Sequence, residues 1–135
     1  MPIQADCPFC AIAAQAEHPA VMHQNEDWLC LPPLQQEAPG HTLLVSREHY
    51  ASLQDAPAAI GAGLIGACQW LNRHFALALQ SDGFNLLNAN GDAAQQSVPH
   101  LHLHFLPRRI RDGINAWPKL PGTKNSIEPL PAKEA

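Results

Sequence analysis

One short segment restricts the possible folds of this chain more than any other feature. In His100-Leu101-His102-Leu103-His104-Phe105-Leu106, histidines alternate with apolar residues. A β-strand places successive side chains on opposite faces of a sheet. The segment therefore predicts a strand that presents three imidazoles on one face and Leu101, Leu103 and Phe105 on the other. We expect the apolar face to pack under a helix.

Hydrophobic periodicity and turn residues divide the rest of the chain into helices and strands. We expect helices over residues 11–16 and 55–79, and extended segments over residues 21–34, 41–46, 84–89 and 98–106. Asp55 as a capping acid and Pro57 in the first turn are typical of a helix start. The long helix has one apolar face, formed by Ile60, Leu64, Cys68, Leu71, Phe75 and Leu79. The order of strands, long helix and strands predicts an α+β domain with an antiparallel sheet covered on one face by the helix.

Composition limits the classes of function that the chain can have. Its 135 residues amount to one ordinary domain, with 46% apolar and 15% charged residues. The net charge of −4 argues against a nucleic-acid polymer or a membrane surface as partner. No apolar stretch approaches the ~20 residues of a membrane span, and the N-terminus lacks the basic and apolar regions of a signal peptide. We therefore expect a cytoplasmic protein in which phosphate, if it binds, does so at a local site.

The four cysteines fall into two groups. Cys30 and Cys68 lie in apolar surroundings and are expected to be buried, reduced thiols. The segment Cys7-Pro8-Phe9-Cys10 is different, because two thiols three residues apart can bind one metal ion, form a redox pair or serve only in packing. A closed zinc site needs four ligands, so two more would have to come from elsewhere in the chain.

Three imidazoles on one strand face allow three interpretations: a solvated surface, a three-histidine zinc site, or a site that handles phosphate. The third has a chemical rationale, because a neutral imidazole with a pKa near ~6.5 is a good nucleophile at phosphorus. Water can then cleave the phosphoramidate that forms, so one difficult displacement becomes two easier ones. Gln96 and Ser97 carry donors for a phosphate just before the strand. The turn Asn90-Gly91-Asp92 offers backbone amides to an anion.

Residues 83–108 resemble the histidine-triad (HIT) superfamily through the alternating histidines and the Pro107-Arg108 that follows them. The Cys7 and Cys10 pair, the segment Ala38-Pro39-Gly40-His41 and the histidine at position 49 agree with that resemblance, which extends over residues 7–108. It implies an α+β fold with a five-stranded antiparallel sheet, a long helix on one face, and a homodimer. We assign residues 1–110 to the HIT domain and residues 111–135 to a Pro-rich C-terminal tail.

The resemblance also implies a function and a role for each matching residue. Members hydrolyse or transfer nucleotides, with nucleoside phosphoramidates, dinucleoside polyphosphates and related conjugates as substrates. His102 matches the nucleophile that forms a covalent nucleotidyl-histidine, with its tautomer fixed by a backbone carbonyl. The implied catalytic residues are His102, His104 and Ser97; the implied substrate contacts are Gln96, Asn90, Asn85 and Gly91; and the implied ligands of a structural zinc are Cys7, Cys10, His49 and His100.

Three positions depart from the pattern of that family. Pro33 stands where many members carry an acid that holds the ribose hydroxyls, so Glu37 or Asp27 would have to substitute. Ala89 and Gln95 replace what are commonly an amide and a glycine. These changes leave the nucleophile intact but alter its surroundings. They leave open a non-catalytic nucleotide- or protein-binding module with a structural zinc, and more remotely a redox or metal-storage role.

Overall fold

The computed structural model describes residue 4, residues 6–15 and residues 17–116. Within these ranges the chain forms an α+β fold in which a five-stranded antiparallel sheet carries one long helix, as predicted. The helices and strands are α1 (Pro8–Ala13), β1 (His23–Gln24), β2 (Trp28–Leu31), β3 (Thr42–Ser46), α2 (Gly61–Ala78), β4 (Gly83–Asn88) and β5 (His102–Arg108).

The histidine-bearing strand β5 lies inside the sheet, because the strand order is β1-β2-β3-β5-β4. Val45 of β3 pairs with His102, and Leu87 of β4 pairs with His104. Directly paired residues of antiparallel strands share a face. Both histidines therefore share one face of the sheet with Val45 and Leu87, and β5 is held by neighbours on both sides.

The two faces of the sheet pack against different helices. On one face α2 covers a cluster whose larger members are Trp28, Leu44, Leu71, Phe75, Leu101, Leu103 and Phe105. On the other face α1 covers a smaller cluster formed by Cys7, Phe9, Cys10, Leu29, Leu31, Leu43 and Val45. The apolar face expected for the long helix is confirmed, since Cys68, Leu71 and Phe75 are buried and Ile60, Leu64 and Leu79 pack against the same cluster.

The long helix begins at Gly61 rather than at Asp55. Two short 3-10 turns, Leu53–Asp55 and Ala58–Ile60, precede it. The reason is Pro57, which drives the preceding residue, Ala56, out of the helical region to φ −83° and ψ 143°. Asp55 caps no helix and accepts a hydrogen bond from the Ser52 hydroxyl instead (3.1 Å).

The segment predicted as continuous over residues 21–34 is broken into β1 and β2. Asn25 makes the break, because its side-chain oxygen accepts hydrogen bonds from the backbone N–H groups of Asp27 (3.1 Å) and Trp28 (2.9 Å). Asn is favoured at turns for this reason. The two strands then pair antiparallel as a hairpin.

The first helix also starts earlier than predicted, at Pro8 rather than at residue 11, with Cys7 as its N-terminal capping residue. Residue 16, the predicted end of that helix, lies outside the described residues. So do residues 117–135 of the proposed C-terminal tail. Within the described part of the chain, no helix combines the length and the apolar character that crossing a bilayer requires.

Candidate active site and metal centre

The first histidine of the alternating segment does not belong to the strand. β5 begins at His102 rather than at residue 98, because Pro99 has no N–H and the His100 N–H bonds locally to the Val98 carbonyl (2.8 Å). The His100 ring is fully buried. Its Nε2 donates to the backbone carbonyl of Ser46 (2.7 Å), so Nδ1 is left with a lone pair.

That lone pair faces the two N-terminal thiols. Nδ1 of His100 lies 3.2 Å from Cys7 Sγ and 3.5 Å from Cys10 Sγ. Nδ1 of His49 lies 3.3 Å from Cys10 Sγ. The four side chains are buried, and their ligand atoms all lie within 4.8 Å of one another. The structure thus brings together the four residues predicted as metal ligands.

The chemistry of these donors fits zinc. Tetrahedral zinc with sulfur at ~2.3 Å and nitrogen at ~2.0 Å separates its ligand atoms by roughly 3.5 Å, close to the spacings present here. Burial raises the pKa of the Cys10 thiol and lowers the pKa of His100. A divalent cation offsets the cost of burying thiolates. The Ser46 carbonyl provides the outer hydrogen bond that orients a ligating imidazole.

The middle histidine is oriented by backbone. His102 is buried, and its Nδ1 donates to the carbonyl of His100 (2.8 Å). A neutral imidazole with its proton on Nδ1 has the lone pair of Nε2 free. This is the carbonyl contact that the family resemblance implied, and it leaves the Nε2 lone pair without a role in orienting the ring.

The third histidine has a partner that sequence reasoning missed. Nδ1 of His41 accepts a hydrogen bond from the Glu37 backbone N–H (3.1 Å), so the proton of its neutral ring is on Nε2. That Nε2 lies 2.9 Å from Nδ1 of His104 and donates to it. In the neutral His104 ring the remaining proton is then on Nε2. The sequence signal for this pair was a histidine at the first position of the predicted strand 41–46, but its pairing with His104 depends on the strand register.

His104 is held neutral by its surroundings. Burial, followed by the nearby His102 and His41 rings, lowers the pKa of His104 to about 4. The rings of His102 and His104 lie side by side, with centroids 5.3 Å apart. With both rings neutral, the pair offers a nitrogen lone pair on His102 and an N–H donor on His104 at the same face of the sheet.

Three side chains predicted to contact substrate are engaged with protein groups. Asn85 accepts a hydrogen bond from Arg108 (2.7 Å). Asn90 accepts one from the Leu53 backbone N–H (2.7 Å). Gln96 donates to the carbonyl of Ala51 (2.6 Å) and that of Val98 (2.9 Å).

The loop that leads into β5 is braced by the same side chains. Gln96 accepts from the Gly91 N–H (2.8 Å), so this predicted anion donor is already bonded. Ser97 is exposed. Gln95, where glycine was expected from the family pattern, adopts a left-handed conformation with φ 67°. The loop is therefore shaped by its own hydrogen bonds before any ligand arrives.

The two acids considered as replacements at position 33 lie in different places. The Asp27 carboxylate approaches Gly63 of α2, on the face of the sheet opposite the histidines. It therefore does not share a face with His102. Glu37 is exposed, and its backbone N–H holds His41. Leu34, next to Pro33, is fully exposed.

The family model described as "HIT domain" matches residues 15–111, most of the chain. A Zn-bound histidine triad family protein from Mycobacterium smegmatis has a similar structure. The TM-score is 0.74 and the identity 32%, and the match covers 82% of this chain and 81% of that one. The fold, the histidine strand and these matches define the class: the chain belongs to the HIT family.

Two relatives with named activities are similar to this chain. An adenylylsulfatase of Arabidopsis thaliana is 33% identical over 111 residues, which is 82% of this chain, and the chain spans 56% of that relative's length. An adenosine 5′-monophosphoramidase of Saccharomyces cerevisiae is 28% identical over 118 residues, covering 86% of this chain and 72% of that protein. At the level of the family, these similarities support a nucleotide hydrolase.

Proposed function

We propose that this protein is a hydrolase or nucleotidyl transferase that acts on nucleotide P–N or phosphoanhydride bonds through a covalent nucleotidyl-histidine at His102. The observation that carries the proposal is the hydrogen bond from Nδ1 of His102 to the His100 carbonyl (2.8 Å). It keeps the Nε2 lone pair available, beside a neutral His104 whose proton is on Nε2. The activities named for the two relatives, on an adenylyl sulfate and on an adenosine phosphoramidate, belong to this class of reaction.

The proposed reaction has two displacements at phosphorus. Nε2 of His102 forms a bond to the α-phosphorus while the bond to the leaving amine, sulfate or nucleotide breaks. The carbonyl of His100 accepts from Nδ1–H, which favours the positive charge that develops on the ring. Nε2–H of His104 donates to a phosphoryl oxygen or to the leaving group. A leaving amine takes its proton from solvent. Water then attacks the phosphorus of the nucleotidyl-histidine and loses a proton to solvent while the bond to Nε2 of His102 breaks, so the nucleotide is released and His102 is regenerated.

We also propose that Cys7, Cys10, His49 and His100 hold a structural zinc ion. Their spacing and burial support it, as does the Zn-bound relative. Bound zinc contributes charge compensation and ties α1 to the start of β5. Zinc ligation requires reduced thiols, which is consistent with the cytoplasmic location expected from the sequence.

A homodimer is the proposed assembly. β4 is an edge strand whose Phe84 and Leu86 are each 40% exposed, and Ile65 of α2 is 61% exposed. Leu64, Ile65 and Cys68 of α2 line an apolar groove together with Phe84 and Leu86. An edge strand next to an apolar groove favours pairing with a second copy.

The function is tested with His102→Ala, offered adenosine phosphoramidate, adenylyl sulfate and diadenosine polyphosphates. We expect turnover to fall at least about a thousandfold while the circular dichroism spectrum is retained. Mass spectrometry of the rapidly quenched native protein is expected to find a nucleotidyl adduct on His102. Full activity of His102→Ala overturns the proposal.

A non-catalytic nucleotide-binding module is the second candidate. It is favoured by the internal hydrogen bonds of Asn90 and Gln96, which occupy side chains expected to contact substrate. It predicts that nucleotides raise the melting temperature without turnover of any of the three substrates. Detection of the adduct on His102 excludes it.

A further inference from the structure

The short helix α1 contacts the proposed nucleophile as well as the metal centre. Cys7 caps the helix, and the Cys10 N–H approaches its sulfur (3.5 Å). Cys7, Phe9 and Cys10 are all buried against the histidine face of the sheet. Phe9, between the two thiols, has no place in the metal centre or in the reaction steps described above.

Phe9 packs edge-on against two histidine rings at once. Its ring centroid lies 5.2 Å from that of His102, with an interplanar angle of 65°. It lies 5.6 Å from that of His100, with an angle of 86°. Edge-to-face packing restricts the tilt of both rings. For His102, the hydrogen bond at Nδ1 fixes one atom, and Phe9 restricts rotation of the ring about it.

The thiols act on the same histidine through its neighbour. Cys7 and Cys10 contact the ring of His100, and the carbonyl of His100 accepts the Nδ1 proton of His102. His100 lies before the first residue of β5, outside the strand as described. The position of the His100 carbonyl therefore depends on how the His100 side chain is anchored. It also depends on the Leu101 N–H, which donates to the backbone carbonyl of Tyr50 (2.7 Å).

We propose that α1 is a positioning element for the nucleophile, with Phe9 as a positioning residue that holds the His102 ring and with Cys7 and Cys10 holding the carbonyl that orients it. Phe9 acts on the free enzyme, before substrate binds. This inference rests on the proposed function for its kinetic consequence. Its structural part, one fixed tautomer and ring orientation of His102, is measurable without any substrate.

The first test compares Phe9→Leu with Phe75→Leu in the zinc-loaded protein. Both phenylalanines are buried, and Phe75 lies on the α2 face, away from His102. For Phe9→Leu we expect kcat to fall about ten- to a hundredfold with KM within about twofold. For Phe75→Leu we expect lower stability and an unchanged kcat. At one fixed pH, nitrogen NMR of the imidazoles should show a single Nδ1–H form of His102 in wild type and in Phe75→Leu, and a mixture of forms in Phe9→Leu.

The second test compares Cys7→Ser with Cys68→Ser, two thiols that are each 7% exposed. Cys7→Ser is expected to mix the tautomers of His102, and Cys68→Ser is expected to preserve the Nδ1–H form. If Cys7→Ser does not fold, the pair of phenylalanine variants decides alone.

The proposal is overturned if Phe9→Leu and Phe75→Leu have the same His102 spectrum and the same kcat. A protein that turns over none of the substrates refutes the proposed function only. In that case the His102 spectra still decide whether α1 positions the ring.

Discussion

The two faces of β5 are built by different physical means. On the α2 face, Leu103 and Phe105 of β5 join a large apolar cluster together with Leu101, which directly precedes the strand. On the α1 face, His102 is held by one carbonyl and one aromatic ring. Hydrophobic burial is non-directional, so many arrangements of similar volume stabilise the first face. The arrangement of side chains on the second face depends on the direction of individual hydrogen bonds, because an imidazole that rotates loses its hydrogen-bond partner.

This difference separates stability from chemistry along a single strand. The α2 face contributes most of the apolar burial, and the α1 face orients the imidazole nitrogens that the proposed reaction uses. Substitutions on the α2 face should therefore change the free energy of unfolding without changing the chemistry of the folded protein. Substitutions on the histidine face should change the chemistry of the folded protein with little change in the free energy of unfolding, except where they remove the proposed metal.

The metal centre is the exception with the largest expected effect. Cys10 and Cys30 are both fully buried, one on each face of the sheet. We expect Cys10→Ala to lose the bound zinc and to lower the free energy of unfolding by about 5 kcal/mol or more. Cys30→Ala is expected to keep one zinc per chain and to cost roughly 1 kcal/mol. Elemental analysis and urea denaturation measure both. Stoichiometric zinc in Cys10→Ala would show that the cluster is not the metal site.

Truncation in the α2 cluster comes next. Leu71 is fully buried, and Leu71→Ala is expected to lower the free energy of unfolding by about 2–5 kcal/mol, because it leaves a cavity. Leu77 on the same helix is 83% exposed, and Leu77→Ala is expected to change stability by less than ~0.5 kcal/mol. Urea denaturation measures the difference. We expect kcat per folded molecule to stay within about twofold for both variants, and a large fall in kcat for Leu71→Ala would contradict the separation of the two faces.

Acidification should lower the free energy of unfolding through the histidines on the α1 face. Burial, followed by His102 and His41, lowers the pKa of His104 to about 4 in the folded protein. In the unfolded chain a histidine has a pKa of about 6.5. Between these two pH values the unfolded chain therefore binds more protons than the folded protein. Stability should therefore fall as the pH drops from about 6.5 to about 4. Urea midpoints across this range are expected to fall less steeply for His104→Gln than for wild type. Parallel curves for the two proteins would mean that His104 does not titrate in this way.

The smallest effect concerns how closely α2 packs on the sheet. A Cβ at Gly63 would lie 3.1 Å from Cδ1 of Trp28, whose Nε1 is held by the Ile60 carbonyl (2.8 Å). A Cβ at Gly66 meets no atom within 4 Å. Gly66→Ala is expected to stabilise the protein by up to ~1 kcal/mol through helix propensity. In Gly63→Ala the crowding of Trp28 should cancel that gain. Equal melting temperatures for the two variants would show that Trp28 can move away.

Much of the fold could be predicted from local patterns. The alternation of β5 and the apolar face of α2 were correct because they follow from the periods of a strand and a helix. The start of α2 was wrong because the effect of Pro57 on Ala56 outweighed the capping signal of Asp55. The break at Asn25 was missed because its turn bonds compete with an otherwise extended segment.

Less of the candidate site followed from the sequence. The four proposed metal ligands were placed together by resemblance, and the structure brings them within reach of one another. The internal hydrogen bonds of Gln96 and Asn90 were not foreseen, because their partners Ala51 and Leu53 are 45 and 37 residues away. Such contacts depend on how two loops pack, and no local pattern encodes that.

The sequence by itself determined which residue types lie on each face of β5, because side-chain alternation is a property of a single strand. It also supplied the thiols and imidazoles that a metal and a phosphorus atom require. Only the tertiary structure decided which nitrogen of each imidazole is free. That choice depends on hydrogen-bond partners from distant parts of the chain, such as the Ser46 carbonyl that accepts from His100 and the His41 ring that donates to His104, and packing alone sets their distance and direction.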